Sequence, residues 1–264
     1  MNPNSFDSQR IAEGYARRPW LHKTVMEQIR KDCNLKQLKN GLDVGCGAGL
    51  STKALRMLCD HVTGTDISPE MIAVCKALYQ DPSYTFSVSR AEETEMPAEP
   101  YDIITAAGVV NWVDRELFLK NAEQILAANG LIVVYDFWIT DRMEQSPEYT
   151  EWYQKKYLNR FPKPYRKEAV WSQQDLTAAF RLENRVTYDL TYEFSFDEFI
   201  DFMMIQSNVN EQIEKNVLSS EDTSSVDTTY EEARNWMADT LHPIFNDRRR
   251  TLLFEGYNWY IRKK

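Results

Sequence analysis

Residues 42–51 read LDVGCGAGLS, and the choice of fold turns on this stretch. Four of the chain's nine glycines, Gly41, Gly45, Gly47 and Gly49, fall within it or directly before it. Residues 41–44 form a short apolar run that reads as a β-strand, and 50–58 carries the periodicity of a helix. A strand, a glycine-rich turn and a helix make the corner where open α/β sheets hold nucleotide-like ligands. Glycine there lets the backbone approach a ligand closely. Two phosphate cradles are known by their spacing: GxGxxG for dinucleotides, and a Gly-Lys-Ser/Thr ending for the P-loop. Here the spacing is GxGxG and the ending is Gly49-Leu50-Ser51, so neither fits.

The acids around the loop narrow the ligand further. Asp43, two residues before Gly45, would repel a pyrophosphate and suits an ammonium group. Asp66 stands 21 residues after Gly45, at the end of a second strand over 61–67. A carboxylate at that point accepts hydrogen bonds only and is placed for ribose hydroxyls. The pocket therefore asks for a nucleoside with a positive or zwitterionic tail, which describes S-adenosylmethionine.

Outward from the loop, short apolar runs alternate with helical patterns, the mark of parallel β/α units. Ser68 and Pro69 make a helix start before 70–78. Strands follow at 85–88 and 101–107, then an amphipathic helix over 114–128 closed by Gly130. Residues 131–139 are apolar enough for a strand buried on both faces. Beyond 139 the composition shifts. Residues 140–170 are dense in aromatic, lysine and arginine side chains. Within 151–170, Lys155, Lys156, Arg160, Lys163, Arg166 and Lys167 outnumber Glu151 and Glu168, with Trp152, Tyr153, Tyr157, Phe161 and Tyr165 interleaved. Such a stretch suits either a solvated helix face or a clamp for an anionic acceptor. Ser172 caps a short helix to 180, and 182–194 alternates like a strand. Capping boxes at Ser195/Glu198 and Thr229/Glu232 open two further helices, with a polar loop at 219–229 between them. Residues 251–263 form a last strand.

The formal net charge of −9 disfavours a nucleic-acid surface. No run of about 18 apolar residues predicts a membrane span, and the first twenty residues lack the apolar stretch of a signal peptide, so a cytoplasmic protein is expected. The four cysteines show no CxxC pair, so reduced thiols and no metal site are expected. With only three histidines, His22, His61 and His242, a mechanism needing several imidazoles is disfavoured.

Taken in order, LDVGCGAGLST (42–52), TGTDISPEMI (63–72), SRAEETEMP (89–97) and YDIITAAGVVNWVD (101–114) resemble the class I S-adenosylmethionine-dependent methyltransferases. The nearest branch is the small-molecule one that includes trans-aconitate and ubiquinone-pathway enzymes. Phe6, Ala12, Tyr15, Arg18 and Pro19 are similar to an N-terminal helix of that branch. The resemblance covers roughly 6–139. It implies a Rossmann-like, doubly wound, mostly parallel seven-stranded sheet in one domain spanning 1–264. The cofactor core is 1–139, with helical lid insertions about 140–170 and 196–245.

By the same resemblance, Gly45 and Gly47 approach the methionine end of the cofactor and Asp43 helps hold its amino group. Asp66 takes the ribose hydroxyls and Ile67 lies against adenine. Ala91 and Glu92 sit at the adenine edge, and Ala107 lines the sulfonium end. Tyr15 and Arg18 close over the cofactor, the arginine toward its carboxylate. Asn111 and His22 are the catalytic candidates, and Trp20, Trp112 and Tyr157 the acceptor-binding ones. Two positions depart from the family: Arg90 where many relatives have Asp, and Asn111 where several have His. The function implied is methyl transfer to an O-, N- or C-nucleophile of a small molecule, releasing S-adenosylhomocysteine. The scarcity of histidine favours an easily ionised, anionic acceptor. Methylation of a carrier protein or tRNA, and cofactor binding without catalysis, are the alternatives.

Overall fold

The structure, a computed structural model, describes residues 9–163, 170–219 and 226–264. Phe6, residues 165–168 of the basic stretch and residues 220–225 of the polar loop lie outside the described residues. The chain divides into two compact units. One comprises the described parts of Phe6–Phe137, Arg166–Tyr188 and Gly256–Lys264; the other those of Trp138–Tyr165 and Asp189–Glu255.

The first unit opens with helices α1 (Gln9–Ala16) and α2 (His22–Asp32). Then come β1 (Leu38–Val44), α3 (Leu50–Leu55), β2 (Cys59–Asp66), α4 (Pro69–Leu78), β3 (Tyr84–Val88), β4 (Tyr101–Ala107), α5 (Arg115–Ile125) and β5 (Leu126–Met143). β1 through β5 are parallel, with β1 between β2 and β4. Leu42, Val44, Ile104, Ala106, Ile132 and Val134 pack on one side with Phe118, Leu119 and Ala122 of α5. The alternate positions Ile103, Leu131, Val133 and Tyr135 are buried as well. That is why 131–135 is an unbroken apolar run rather than an alternating one.

Local signals placed the helix starts well. Ser68 Oγ accepts the Met71 N–H with Pro69 at the first position, and Asp114 Oδ1 accepts the Leu117 N–H at 3.0 Å. The end of α5 differs from expectation. The helix stops at Ile125 and Gly130 lies inside β5. Tyr101 pairs with Leu126 and Ile103 with Leu131, so β5 carries extra residues there, and Asn129 takes φ +60°. The excess is a bulge, which bends one strand against a shorter partner.

The second unit contains α6 (Pro147–Glu151), a π-helical turn at Trp152–Tyr157, and α7 (Leu158–Arg160). β6 (Phe180–Phe194) then leads to α8 (Phe196–Met204), α9 (Ser207–Ser219), α10 (Val226–Phe245) and β7 (Arg250–Lys263). β6 and β7 each contribute residues to both units. The sheet order is β3-β2-β1-β4-β5-β7-β6, a seven-stranded, mostly parallel, doubly wound sheet as expected. β7 runs against β5: Lys263 Nζ reaches the Leu126 carbonyl, while the Glu144 N–H meets that of Thr251. It also runs against β6, with Arg262 on Glu183 and Arg249 on Glu193. The last strand is thus interior to the sheet.

Of the two expected insertions, the described residues of 140–165 and 196–245 fall in this second unit, while Val170 belongs to the first. The Ser195/Glu198 box is present in both directions. Thr229 lies inside α10, which already begins at Val226, and the helix expected to 180 shrinks to one turn, Gln173–Asp175. Tyr149, Trp152, Tyr153, Tyr157 and Phe161 are buried, and Trp152 stacks on Tyr157 at 5.4 Å. The Tyr157 hydroxyl donates to Asn208 Oδ1. Tyr157 is therefore core, which corrects its assignment to the acceptor. Lys155 pairs with Glu151 along the helix, and Arg160 lies over Trp236 at 4.9 Å.

Candidate functional site

The chain leaves β1 at Val44 and turns into α3 with Gly45, Gly47 and Gly49 at φ +63°, +53° and +88°. Gly45 and Gly47 are needed for different reasons. A Cβ on Gly45 would lie 2.3 Å from Val109 Cγ2, so the loops after β1 and β4 touch there. A Cβ on Gly47 would come no nearer than 3.9 Å to another residue, the Tyr15 ring. That is ordinary contact, so the backbone at Gly47 is uncrowded, at the carboxyl ends of β1 and β4, where the order of connection reverses.

Asp66 and Asp43 divide the work at this loop. Asp66 Oδ2 accepts the Gly47 N–H at 2.9 Å and Oδ1 the Ser68 N–H at 2.9 Å. It joins the glycine loop to the start of α4 and stays partly exposed. Ile67 beside it is 54% exposed, an apolar surface where an aromatic base could lie. Asp43 is fully buried: Ser51 Oγ and Thr52 Oγ1 donate to Oδ2 at 2.5 and 2.7 Å, and Thr105 Oγ1 donates to Oδ1 at 2.7 Å. Burial pushes its carboxyl up to about 6, against the downward pull of the three hydroxyls. Asp43 thus fastens β1, α3 and β4 beneath the loop. The expected contact with a ligand's amino group is corrected accordingly.

The adenine-edge candidates behave similarly. Ala91 is buried in the core that holds α5. Glu92 Oε1 accepts the Asp114 N–H at 2.8 Å, with the Arg90 guanidinium 3.6 Å away. That bond ties the 91–93 turn to the start of α5, so Glu92 is a structural acceptor. Arg90, the departure from the family, lies between Glu92 and Glu93. Ala107 ends β4, paired with Tyr135. Asn111 and Trp112 occupy the exposed loop that follows, Trp112 at 41%.

The segment from Tyr15 to His22 borders this end of the sheet. The Arg18 guanidinium stacks on Tyr15 at 3.6 Å, and Tyr15 is the ring facing Gly47. Trp20 Nε1 donates to the Leu50 carbonyl at 3.0 Å, at the first residue of α3, with Lys53 over its ring. His22 Nδ1 and the Tyr135 hydroxyl are 2.9 Å apart, and its ring meets Phe137 edge-on at 4.9 Å. Burial, and secondarily the charge of Arg18, push the imidazole down to about 3, so His22 is neutral at pH 7. The structure therefore brings together Tyr15, Arg18, Gly45, Gly47, Asp66, Ile67 and Ala107. Asp43, Ala91 and Glu92 lie behind them.

Two residues were missed. Ser51 and Thr52 directly follow the glycine loop, and their hydroxyls pair with the acid that precedes it. Among the described residues, no cluster of histidine, cysteine, aspartate or glutamate is arranged to hold a metal ion. Nor is any described helix long and apolar enough to cross a membrane.

In comparison with known proteins, residues 42–134 match the family described as "Methyltransferase domain". A ubiquinone biosynthesis O-methyltransferase of Bradyrhizobium diazoefficiens is 41% identical over 35% of this chain and 38% of its own. An uncharacterized methyltransferase of Schizosaccharomyces pombe is 27% identical over 46% of this chain and 49% of its own. The matched part is thus half or less of each relative's length. A solved structure from Anaeromyxobacter dehalogenans superposes with a TM-score of 0.68 at 16% identity, covering 90% of this chain and 94% of that one. At that identity the likeness shows the fold.

Proposed function

We propose, from the match of residues 42–134 to a methyltransferase domain, that the chain transfers a methyl group from S-adenosylmethionine to a small-molecule acceptor. One observation carries the proposal: the uncrowded backbone at Gly47 is bordered by the Tyr15 ring, by Asp66 and, past it, by the exposed side chain of Ile67. These residues fit the cofactor in order. Gly47 and Tyr15 would border its methionine portion, Asp66 would accept its ribose hydroxyls, and Ile67 would cover one face of adenine. Arg18, stacked on Tyr15, would face the amino-acid carboxylate. The GxGxG loop lacks the lysine and the spacing that a diphosphate requires.

The bound cofactor supplies an already activated methyl group, so the chain has no need of a covalent nucleophile. Its own contribution is alignment of the acceptor and exclusion of water. The ubiquinone-pathway relative supports a small-molecule acceptor, as does burial of the interleaved aromatics of the 151–163 stretch as core. The test is incubation with methyl-labelled S-adenosylmethionine and a cell extract separated into filtrate and macromolecular fractions. Label in filtrate compounds is expected. Label confined to protein or RNA would overturn the small-molecule acceptor.

A further inference from the structure

Two of the four cysteines meet at the glycine loop. Cys46 belongs to the loop itself, and Cys75 lies two turns into α4, on the face that carries Met71 and Ile72 into the core. Both are buried and free. Parallel pairing of β1 with β2 brings the loop to α4: the Cys46 N–H meets the Thr65 carbonyl at 2.9 Å, just before Ser68 opens the helix. Gly49 completes the approach, since a Cβ there would stand 3.1 Å from Cys75 Sγ. With Ile72 and Phe86 the two cysteines form one small apolar cluster.

Within that cluster both thiols turn to one oxygen. Cys75 Sγ donates to the Gly47 carbonyl at 3.2 Å, and Cys46 Sγ reaches the same carbonyl at 3.6 Å. The two side chains are also hydrogen-bonded to each other. That bond and, secondarily, burial push the Cys46 thiol well up, so it keeps its proton at pH 7. Gly47 is therefore held at both of its backbone groups, its N–H by Asp66 and its carbonyl by the thiols. Gly47 is partly exposed, and the sulfurs lie directly behind it. Two thiols that touch each other and share an acceptor are within reach of a disulfide, and forming one removes both S–H donors from that carbonyl.

We propose that Cys46 and Cys75 are a modification site, where hydrogen peroxide forms a disulfide that weakens the cofactor seat at Gly47. The effect on binding rests on the S-adenosylmethionine reading; the disulfide itself does not. In the first step Cys75 gives up its proton and its sulfur attacks one peroxide oxygen. The S–O bond forms, the O–O bond breaks, and the departing hydroxide takes a proton to leave as water. In the second step the Cys46 sulfur attacks the sulfenic acid on Cys75. The S–S bond forms, the S–O bond breaks, and the departing hydroxide leaves with the Cys46 proton as a second water. Two thiols lose two electrons in all, and one peroxide is reduced to two waters. The Gly47 carbonyl, stripped of both donors, shifts to find new partners, and the loop shifts with it.

The experiment treats wild type, Cys46→Ser and Cys75→Ser with hydrogen peroxide. Mass spectrometry of unreduced peptides reads the Cys46–Cys75 link. Calorimetry reads the affinity for S-adenosylmethionine before peroxide, after it, and after dithiothreitol. For the wild type the expected results are the linked peptide, affinity at least about fivefold weaker, and recovery with dithiothreitol. Each serine variant should bind equally before and after peroxide, whatever its starting affinity. Absence of the linked peptide from the wild type would overturn the proposal. So would a link that leaves affinity unchanged, a loss that dithiothreitol does not reverse, or an equal loss in the serine variants. Where one serine variant fails to fold, the other serves, and the wild-type peptide map needs neither. Failure of the reduced wild type to bind S-adenosylmethionine would refute the underlying reading separately.

Discussion

Gly45 and Gly47 lie two residues apart with similar positive φ, yet a methyl group on each should do different damage. On Gly45 it meets Val109 at 2.3 Å. Gly45→Ala should therefore lower stability by about 1–3 kcal/mol from overpacking, beyond the cost of the left-handed backbone. On Gly47 it makes only ordinary contact with the Tyr15 ring, so Gly47→Ala should cost stability only about 1–2 kcal/mol through φ while abolishing most cofactor affinity. Urea melts and calorimetry on the two variants separate these outcomes. Equal loss of affinity with a larger loss of stability at Gly47 would contradict the assignment. Much of this was legible in the sequence, because glycine spacing and the Asp66 offset are properties of the chain itself. The role of Asp43 was not. Its charge suggested a ligand contact, whereas the hydroxyls that bury it include Thr105, brought beside it only by β1–β4 pairing.

Among the elements, those set by their own first residues were the most legible. Ser68 and Ser195 cap the helices they were expected to cap, and Asp114, read as the first residue of its helix, caps it. Asp114→Ala should destabilise by about 1 kcal/mol in urea unfolding, through loss of the bond to the Leu117 N–H. Glu92→Gln should cost a similar amount, about 1–2 kcal/mol, because it replaces a charged acceptor of the Asp114 N–H with a neutral one. If Glu92→Gln instead leaves stability unchanged and weakens cofactor binding, Glu92 belongs to the adenine edge after all. Elements whose limits depend on a partner were less legible. Gly130 looks like a helix terminator, but the register of β4 draws residues 126–130 into the sheet as a bulge. Thr229 and Glu232 have the spacing of a capping box, yet α10 starts upstream of them.

For the molecule as a whole, two buried groups in the first unit oppose each other as pH falls. Asp43 titrates near 6 in the fold, above the unfolded value of about 3.9, so folding takes up a proton between those limits. Its contribution to stability therefore rises as pH falls from 6 to 4, by about 2–3 kcal/mol. His22 titrates near 3, below its unfolded value of about 6.5, so folding releases a proton and stability falls over that range. The two slopes should nearly cancel between pH 4 and 6. His22→Phe should uncover the rise due to Asp43, and Asp43→Asn the fall due to His22, both measured by urea melts across that range. Parallel pH profiles for the wild type and both variants would show that neither group is held as described. The central claim, a seat for S-adenosylmethionine at Gly47 and Asp66, is tested most directly by calorimetric titration of that cofactor into the wild type and Asp66→Ala. The expected result is one saturable site in the wild type and at least about tenfold weaker binding in the variant. No binding to the wild type, or undiminished binding to Asp66→Ala, would contradict it.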